Sequence, residues 1–181
     1  FNVTEFSKYG ADRERAKNRL EAAASSGMKI LLFDDYAARN GFVDHLGGTI
    51  AEFRADPALL GWYLADEPQH YGITPDAALR LNERFRQDDP SHPVVIVHSV
   101  PNLYRAYAPA CDVMMVDIYP IGYQPICVIA EGIKEARTVV KDEKPVWAVI
   151  QMHQNIYVPR RGPTAREVRA MTYLALCSGA K

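Results

Sequence analysis

The sequence predicts an α/β fold made of repeated strand–helix units. Three observations carry that prediction. Short apolar runs alternate with longer helix-like segments along the chain. Successive runs are spaced by roughly thirty residues, the length of a parallel βα unit. The apolar runs, with Leu59–Ala65 (LLGWYLA) the clearest, are continuous rather than alternating, as in strands buried on both faces.

In order, Phe1–Phe6 (FNVTEF) reads as a short strand. Asp12–Ser26 is rich in Ala, Arg and Glu and reads as a helix stopped by Gly27. Met28–Phe33 is the second strand, ending on Asp34, Asp35 and Tyr36. A helix fills much of Asp44–Arg54. Leu59–Ala65, the third strand, stops on Asp66-Glu67-Pro68. Thr74 suits an N-cap and Pro75 a first turn, opening a helix to about Gln87. Val94–Val97 is the fourth strand, ending at His98, and Asp112–Val116 is the fifth, ending on Asp117, Ile118 and Tyr119. Pro125–Val140 is mostly helical, and Pro145–Ile150 is the sixth strand, ending on Gln151. Thr164-Ala165-Arg166-Glu167 is a capping-box pattern that opens a helix to Cys177, with Gly179 as its stop.

Two architectures compete for this pattern: an open doubly wound sheet and a closed (β/α)₈ TIM barrel. A doubly wound nucleotide-binding sheet carries a Gly-rich turn after an early strand. Phe33-Asp34-Asp35-Tyr36 contains no glycine. Acidic and aromatic residues at successive strand ends favour the barrel, whose active sites lie at the C-terminal ends of its strands. Such a barrel takes eight strands in about 250 residues, whereas six runs are found here. Residues 1–181 are therefore expected to form a single barrel domain, a fragment lacking the first and last βα units. Missing barrel segments or further domains of the same protein are its expected partners.

The net charge of −1 gives no basic field for nucleic acid or an anionic membrane surface, so neither is expected as a partner. No apolar run reaches the ~18–20 residues of a membrane span. Cys111, Cys127 and Cys177 form no CxxC or zinc pattern. Cys111 and Cys177 lie in apolar stretches and are expected to be buried. The odd count leaves one disulfide or none.

On its strand-end residues the chain resembles the clan A glycoside hydrolases, (β/α)₈ enzymes that include cellulases, mannanases and β-galactosidases. The family's fourth strand ends in Asn-Glu-Pro, with the glutamate as general acid/base, and Asp66-Glu67-Pro68 stands in that place. The sixth strand often ends in His-x-Tyr, and Asp117-Ile118-Tyr119 occupies it, followed by Pro120. The run Gly61–Pro68 (GWYLADEP) is similar to that of uncharacterised bacterial and metagenomic proteins grouped with the clan. The order of units agrees over nearly the whole chain, with Phe1 at the family's second strand. One departure matters. The family's nucleophile is a glutamate ending the seventh strand, and the matching run here ends on Gln151. A neutral amide cannot form the glycosyl ester of the retaining mechanism, which uses two carboxyl groups roughly 5–5.5 Å apart.

The resemblance implies hydrolysis of O-glycosidic bonds in poly- or oligosaccharides, with a carbohydrate substrate and no cofactor or metal. Glu67 is then the general acid, protonating the leaving oxygen, and is the first choice among the candidates; its bland alternative is a helix-start or loop carboxylate paired to an arginine. Asp66 orients neighbouring groups. Asp117 is the preferred second carboxylate, as base for a water in an inverting scheme or as a ligand of sugar hydroxyls; its bland role is a strand-end cap. Asp34 and Asp35 end a strand, with Asp35 a candidate sugar ligand or a solvated loop residue. Tyr119, Trp147 and Trp62 are either stacking faces or core, and Tyr119 is placed best to line a site. Gln151 and His153 are candidate donors to substrate. His98 sets up a rival arrangement, in which Glu67, His98, Asp117 and His153 converge on a divalent metal. His45, His70 and His92 fall in surface stretches. The basic stretch Tyr157–Pro163 covers the site or is plain surface. The alternative to an enzyme is a carbohydrate-binding barrel without a nucleophile.

Overall fold

The computed structural model describes residues 6–8, 13–33, 43–154 and 161–181. Six strands and six α-helices alternate among them. Contacts group the chain into two compact units, Phe1–Ile96 with Pro109–Asp112, and Val97–Ala108 with Val113–Lys181.

The first unit contains β1 (Phe6–Lys8), α1 (Arg13–Ser25), β2 (Ile30–Phe33), α2 (Val43–Phe53), β3 (Leu59–Asp66), α3 (Pro75–Asp88) and the start of β4 (Val94–His98). β1 pairs with β2 and β2 with β3, both parallel, as the βα repeat requires. The β2–β3 register slips between Ile30, opposite Leu59, and Leu31, opposite Gly61. Gly61 is a packing glycine: a Cβ there would lie 2.6 Å from the carbonyl oxygen of Pro93. From Gly61 to Ala65, β3 is wholly buried, as its continuous apolar run predicts. The helices cover the sheet with Leu20 of α1, Leu46 and Ile50 of α2, and Leu81 and Phe85 of α3.

α3 begins where the sequence says it should. The Thr74 side chain accepts from the Ala77 N–H, and Pro75 follows in the first turn. Its far end is tied to β3 by Asp89. The buried carboxylate of Asp89 accepts from the Trp62 indole N–H at 2.9 Å and the Ser91 hydroxyl at 2.6 Å, and meets His92 Nδ1 at 2.8 Å. Burial pushes the Asp89 carboxyl upward, but the bonds from Ser91, Trp62 and His92 outweigh it and hold the group below its ordinary value. His92 is thus half-buried in this cluster rather than on the surface. His70 is exposed as expected, and the side chain of His45 lies outside the described residues.

The second unit contains the end of β4, α4 (Pro101–Tyr107), β5 (Val113–Val116), α5 (Val128–Val139), β6 (Val146–Ala148) and α6 (Ala165–Cys177). β5 and β6 are parallel, with Met114 opposite Val146 and Val116 opposite Ala148. The capping box opens α6: the Thr164 hydroxyl accepts from the Glu167 N–H, and the Glu167 carboxylate accepts from the Thr164 N–H. Gly179, at φ 96°, ends the helix in a conformation that suits glycine, as Gly27 does at φ 65° after α1. Beyond it, the Lys181 N–H donates to the Val146 carbonyl at 2.9 Å, returning the chain to β6.

Several boundaries differ from the sequence reading. β6 is shorter than Pro145–Ile150, although the Val149 N–H still reaches the Val116 carbonyl at 2.8 Å. The helix expected from Pro125 starts at Val128, because Pro125–Cys127 form a turn. α4 was not predicted. Its signals are Pro101 in the first turn and the buried pair Tyr104 and Tyr107, three residues apart. Cys111 is buried, but Cys177 is exposed, since α6 buries Met171 and Ala175 on its other face. All three cysteines are free thiols. Among the described residues, no helix is long and apolar enough to cross a membrane.

Candidate functional site

Glu67 follows β3 directly and adopts φ 45° and ψ 63°, the left-handed region. A side chain makes that region costly, and the turn that Glu67 opens holds it there. Pro68 is buried, the His70 N–H donates to the Glu67 carbonyl at 2.9 Å, and the Ile73 N–H donates to the Pro68 carbonyl at 3.0 Å. These bonds form the short 3₁₀ turn Pro68–Tyr71, closed by Gly72, again left-handed. The Glu67 side chain stays 28% exposed, with Oε2 3.6 Å from Nε2 of His70, itself 60% exposed. Asp66, the last residue of β3, is half-buried. The turn also holds a residue the sequence reading passed over. Both polar atoms of the Gln69 amide are buried and find no hydrogen-bond partner among the described residues.

In the second unit, the residues after β5 and β6 are drawn together by Gln151, which is fully buried. Its Oε1 accepts from the Ile121 N–H at 2.8 Å, and its Nε2 donates to the His153 carbonyl at 3.1 Å. The amide thus uses its acceptor on one segment and its donor on the other. This disposition differs from that expected of a donor to substrate: Gln151 clamps two backbone segments. The clamp spans the residues that carry Tyr119 and His153, whose rings meet edge to face with centroids 4.9 Å apart.

His98 and Asp117 lie deeper. His98 is fully buried, its ring 4.5 Å from that of Tyr107 and 6.4 Å from that of Tyr104. The Asp117 N–H donates to the His98 carbonyl at 3.4 Å, and the Asp117 side chain is also buried. Burial and then the charges of Asp117 and Glu135 drive the Tyr104 phenol well above its ordinary range.

Trp62 is core: it is buried, bonded to Asp89, and stacked on Phe85 with centroids 5.3 Å apart. Trp147, opposite Met115 in the β5–β6 register, is half-buried. Asp34, Asp35 and Tyr36 lie outside the described residues, as does Tyr157–Arg160 of the basic stretch. Arg161, at its end, makes a two-pronged ion pair with Glu167 at 2.7 and 2.6 Å. No group of three or more His, Cys, Asp or Glu among the described residues is arranged to hold a metal ion.

Comparison with solved structures places this fold. A GH99 endo-alpha-mannosidase from Bacteroides thetaiotaomicron superposes on 99% of the chain, with a TM-score of 0.70 and 13% identity. A beta-glucuronidase from an uncultured Clostridium superposes on 90%, with a TM-score of 0.61 and 13% identity. A glycoside hydrolase family 17 beta-1,3-glucanosyltransferase from Rhizomucor miehei superposes on 79%, with a TM-score of 0.61 and 16% identity. The chain spans 62%, 33% and 58% of these proteins' own lengths, respectively. No protein-family model matches the sequence, and no curated protein matches it closely enough to be called a relative. The chain therefore shares the α/β fold of these glycoside-hydrolase structures, over part of their length.

Proposed function

We propose that the protein is a glycoside hydrolase acting on O-glycosidic bonds of poly- or oligosaccharides, with Glu67 as its general acid. The observation that carries this reading is the backbone of Glu67. A non-glycine residue in the left-handed region, at the C-terminal end of a buried parallel strand, stores strain that a plain loop carboxylate does not need. Lys141 and Asp142 share that conformation, but in the turn after α5. The carboxylate is half-shielded, so it can meet a substrate while shedding part of its water. The fold supports the same chemistry by analogy.

Asp117 is the second carboxylate of this proposal, serving as base for the attacking water. Asp35, Asp66, His98, Tyr119, Trp147 and His153 are candidate sugar contacts. Of these, Tyr119 and His153 have the best support, as a packed aromatic pair in the segments that follow β5 and β6. Gln151 holds that pair in place. The use of Gln151 as a clamp also favours a second reading, a carbohydrate-binding barrel that performs no hydrolysis.

A panel of aryl glycosides and polysaccharides separates the two. Glu67→Gln should lower hydrolysis by about 10²–10⁴-fold, the usual worth of a general acid. Asp117→Asn should lower it comparably. An active Asp117→Asn protein would remove Asp117 from the mechanism. A wild-type protein that binds sugars and cleaves none of the panel would leave the binding reading alone.

A further inference from the structure

The second unit carries a depression of about 620 Å³ that the mechanism above does not use, lined by Gly122, Tyr123, Gln124, Pro125 and Arg161. It is a shallow, open hollow, of the kind on which a ring lies against the surface. Its walls are held in place. The N–H groups of Tyr123 and Gln124 both donate to the Pro120 carbonyl, at 3.1 and 2.9 Å. Ile121, in the same turn, is pinned by the buried Gln151. Across the depression, Arg161 is fixed by its two-pronged pair with Glu167. Glu167 is fixed in turn by the N–H and hydroxyl of Thr164, at 2.8 and 2.9 Å. On this turn, Tyr123 is 49% exposed. The hydrogen-bonded turn fixes the backbone from which the Tyr123 ring projects, so that less of the chain must be ordered when a ligand binds.

From these groups we infer an accessory subsite for a neutral sugar ring. A half-exposed phenol ring offers a face for the apolar side of a pyranose. The Gln124 amide offers both a donor and an acceptor, and the Arg161 guanidinium keeps N–H groups beyond those given to Glu167 and Gly162. Glu167 neutralises the guanidinium, which selects against a strongly anionic ligand and for hydroxyl groups. The ligand class rests on the carbohydrate reading of Glu67; the site itself is built wholly within the second unit.

The test compares wild type with Tyr123→Ala and Tyr123→Phe, using cellohexaose and mannohexaose as probes beside 4-nitrophenyl monoglycosides. For the hexasaccharide that wild type binds, Tyr123→Ala should weaken binding roughly 3- to 10-fold by calorimetry. Tyr123→Phe, which keeps the ring face, should restore it. Turnover of monoglycosides should be unchanged in both variants. Equal hexasaccharide affinity in wild type and Tyr123→Ala, or no binding of either hexasaccharide to wild type, would overturn the subsite. Weakened binding in Tyr123→Ala, with no hydrolysis by wild type, would keep the subsite and sink the hydrolase reading.

Discussion

On the resemblance to clan A glycoside hydrolases, Gln151→Glu would supply the carboxylate that a retaining enzyme carries in the segment after β6. The geometry around Gln151 predicts a different outcome. Its Nε2 donates to the His153 carbonyl at 3.1 Å, and a carboxylate oxygen cannot. In Gln151→Glu an anionic oxygen would face that carbonyl oxygen in a fully buried site. The least costly escape is to take up a proton and donate through the new O–H. Holding a carboxyl of ordinary pKa about 4.3 protonated at pH 7 costs about 3.7 kcal/mol, at 1.36 kcal/mol per pH unit. At pH 5 the same cost is about 1 kcal/mol. The folded pKa of the introduced group is raised, so its penalty is full at neutral pH and vanishes as the pH falls below the unfolded value. Urea unfolding of wild type and variant at both pH values measures this directly. The expected loss is about 3–4 kcal/mol at pH 7 and about 1 kcal/mol at pH 5. A variant as stable as wild type at pH 7, or one that gains activity and forms a covalent glycosyl adduct with a fluorinated glycoside, would refute the clamp.

Two further predictions concern the first unit. Glu67→Gly and Glu67→Ala both delete the carboxylate, but only glycine takes the left-handed backbone without strain. The glycine variant should be more stable than the alanine variant by about 0.5–1 kcal/mol, after allowing for the greater freedom of glycine in the unfolded chain. Equal stability by thermal unfolding would show that the backbone there is not strained. Asp89→Asn removes a buried carboxylate that accepts from Trp62 and Ser91, and should cost roughly 2–3 kcal/mol at neutral pH. Because the folded pKa of Asp89 is depressed, its contribution is complete above the ordinary value of 3.8 and fades as the pH falls through the lower folded value. The stability gap between wild type and variant should therefore narrow in acid; a gap that widens there would contradict the cluster.

The elements that the sequence made legible are those with local, one-dimensional signals. Thr74-Pro75 and Thr164–Glu167 mark helix starts, because each cap is closed within four residues of itself. Gly27 and Gly179 mark helix ends because each needs positive φ. The strand Leu59–Asp66 shows as the unbroken apolar run Leu59–Ala65. α4 is harder to see. It has seven residues, and its burial rests on Tyr104 and Tyr107, which read as polar-edged aromatics until a packed neighbour is known. The same limit explains Cys177. The sequence shows an apolar stretch around it, but which face of α6 turns inward depends on a partner that no local pattern specifies.

The candidate site divides along the same line. Glu67 stands out in the sequence because strand, carboxylate and proline are consecutive in the chain, and its catalytic role is a proposal. Gln151 was readable only as a missing glutamate, because its partners Ile121 and His153 come from different segments. Once those bonds are known, the two observations support each other. A cavity or an unpaired polar group at this buried position would be costly. A glutamine that fills the position and satisfies both of its polar ends removes that cost while ordering the turn that carries Tyr119 and Tyr123. Any hydrolysis by this chain must therefore draw its second group from elsewhere than Gln151, so the activity of Asp117→Asn bears more on mechanism than any substitution at Gln151.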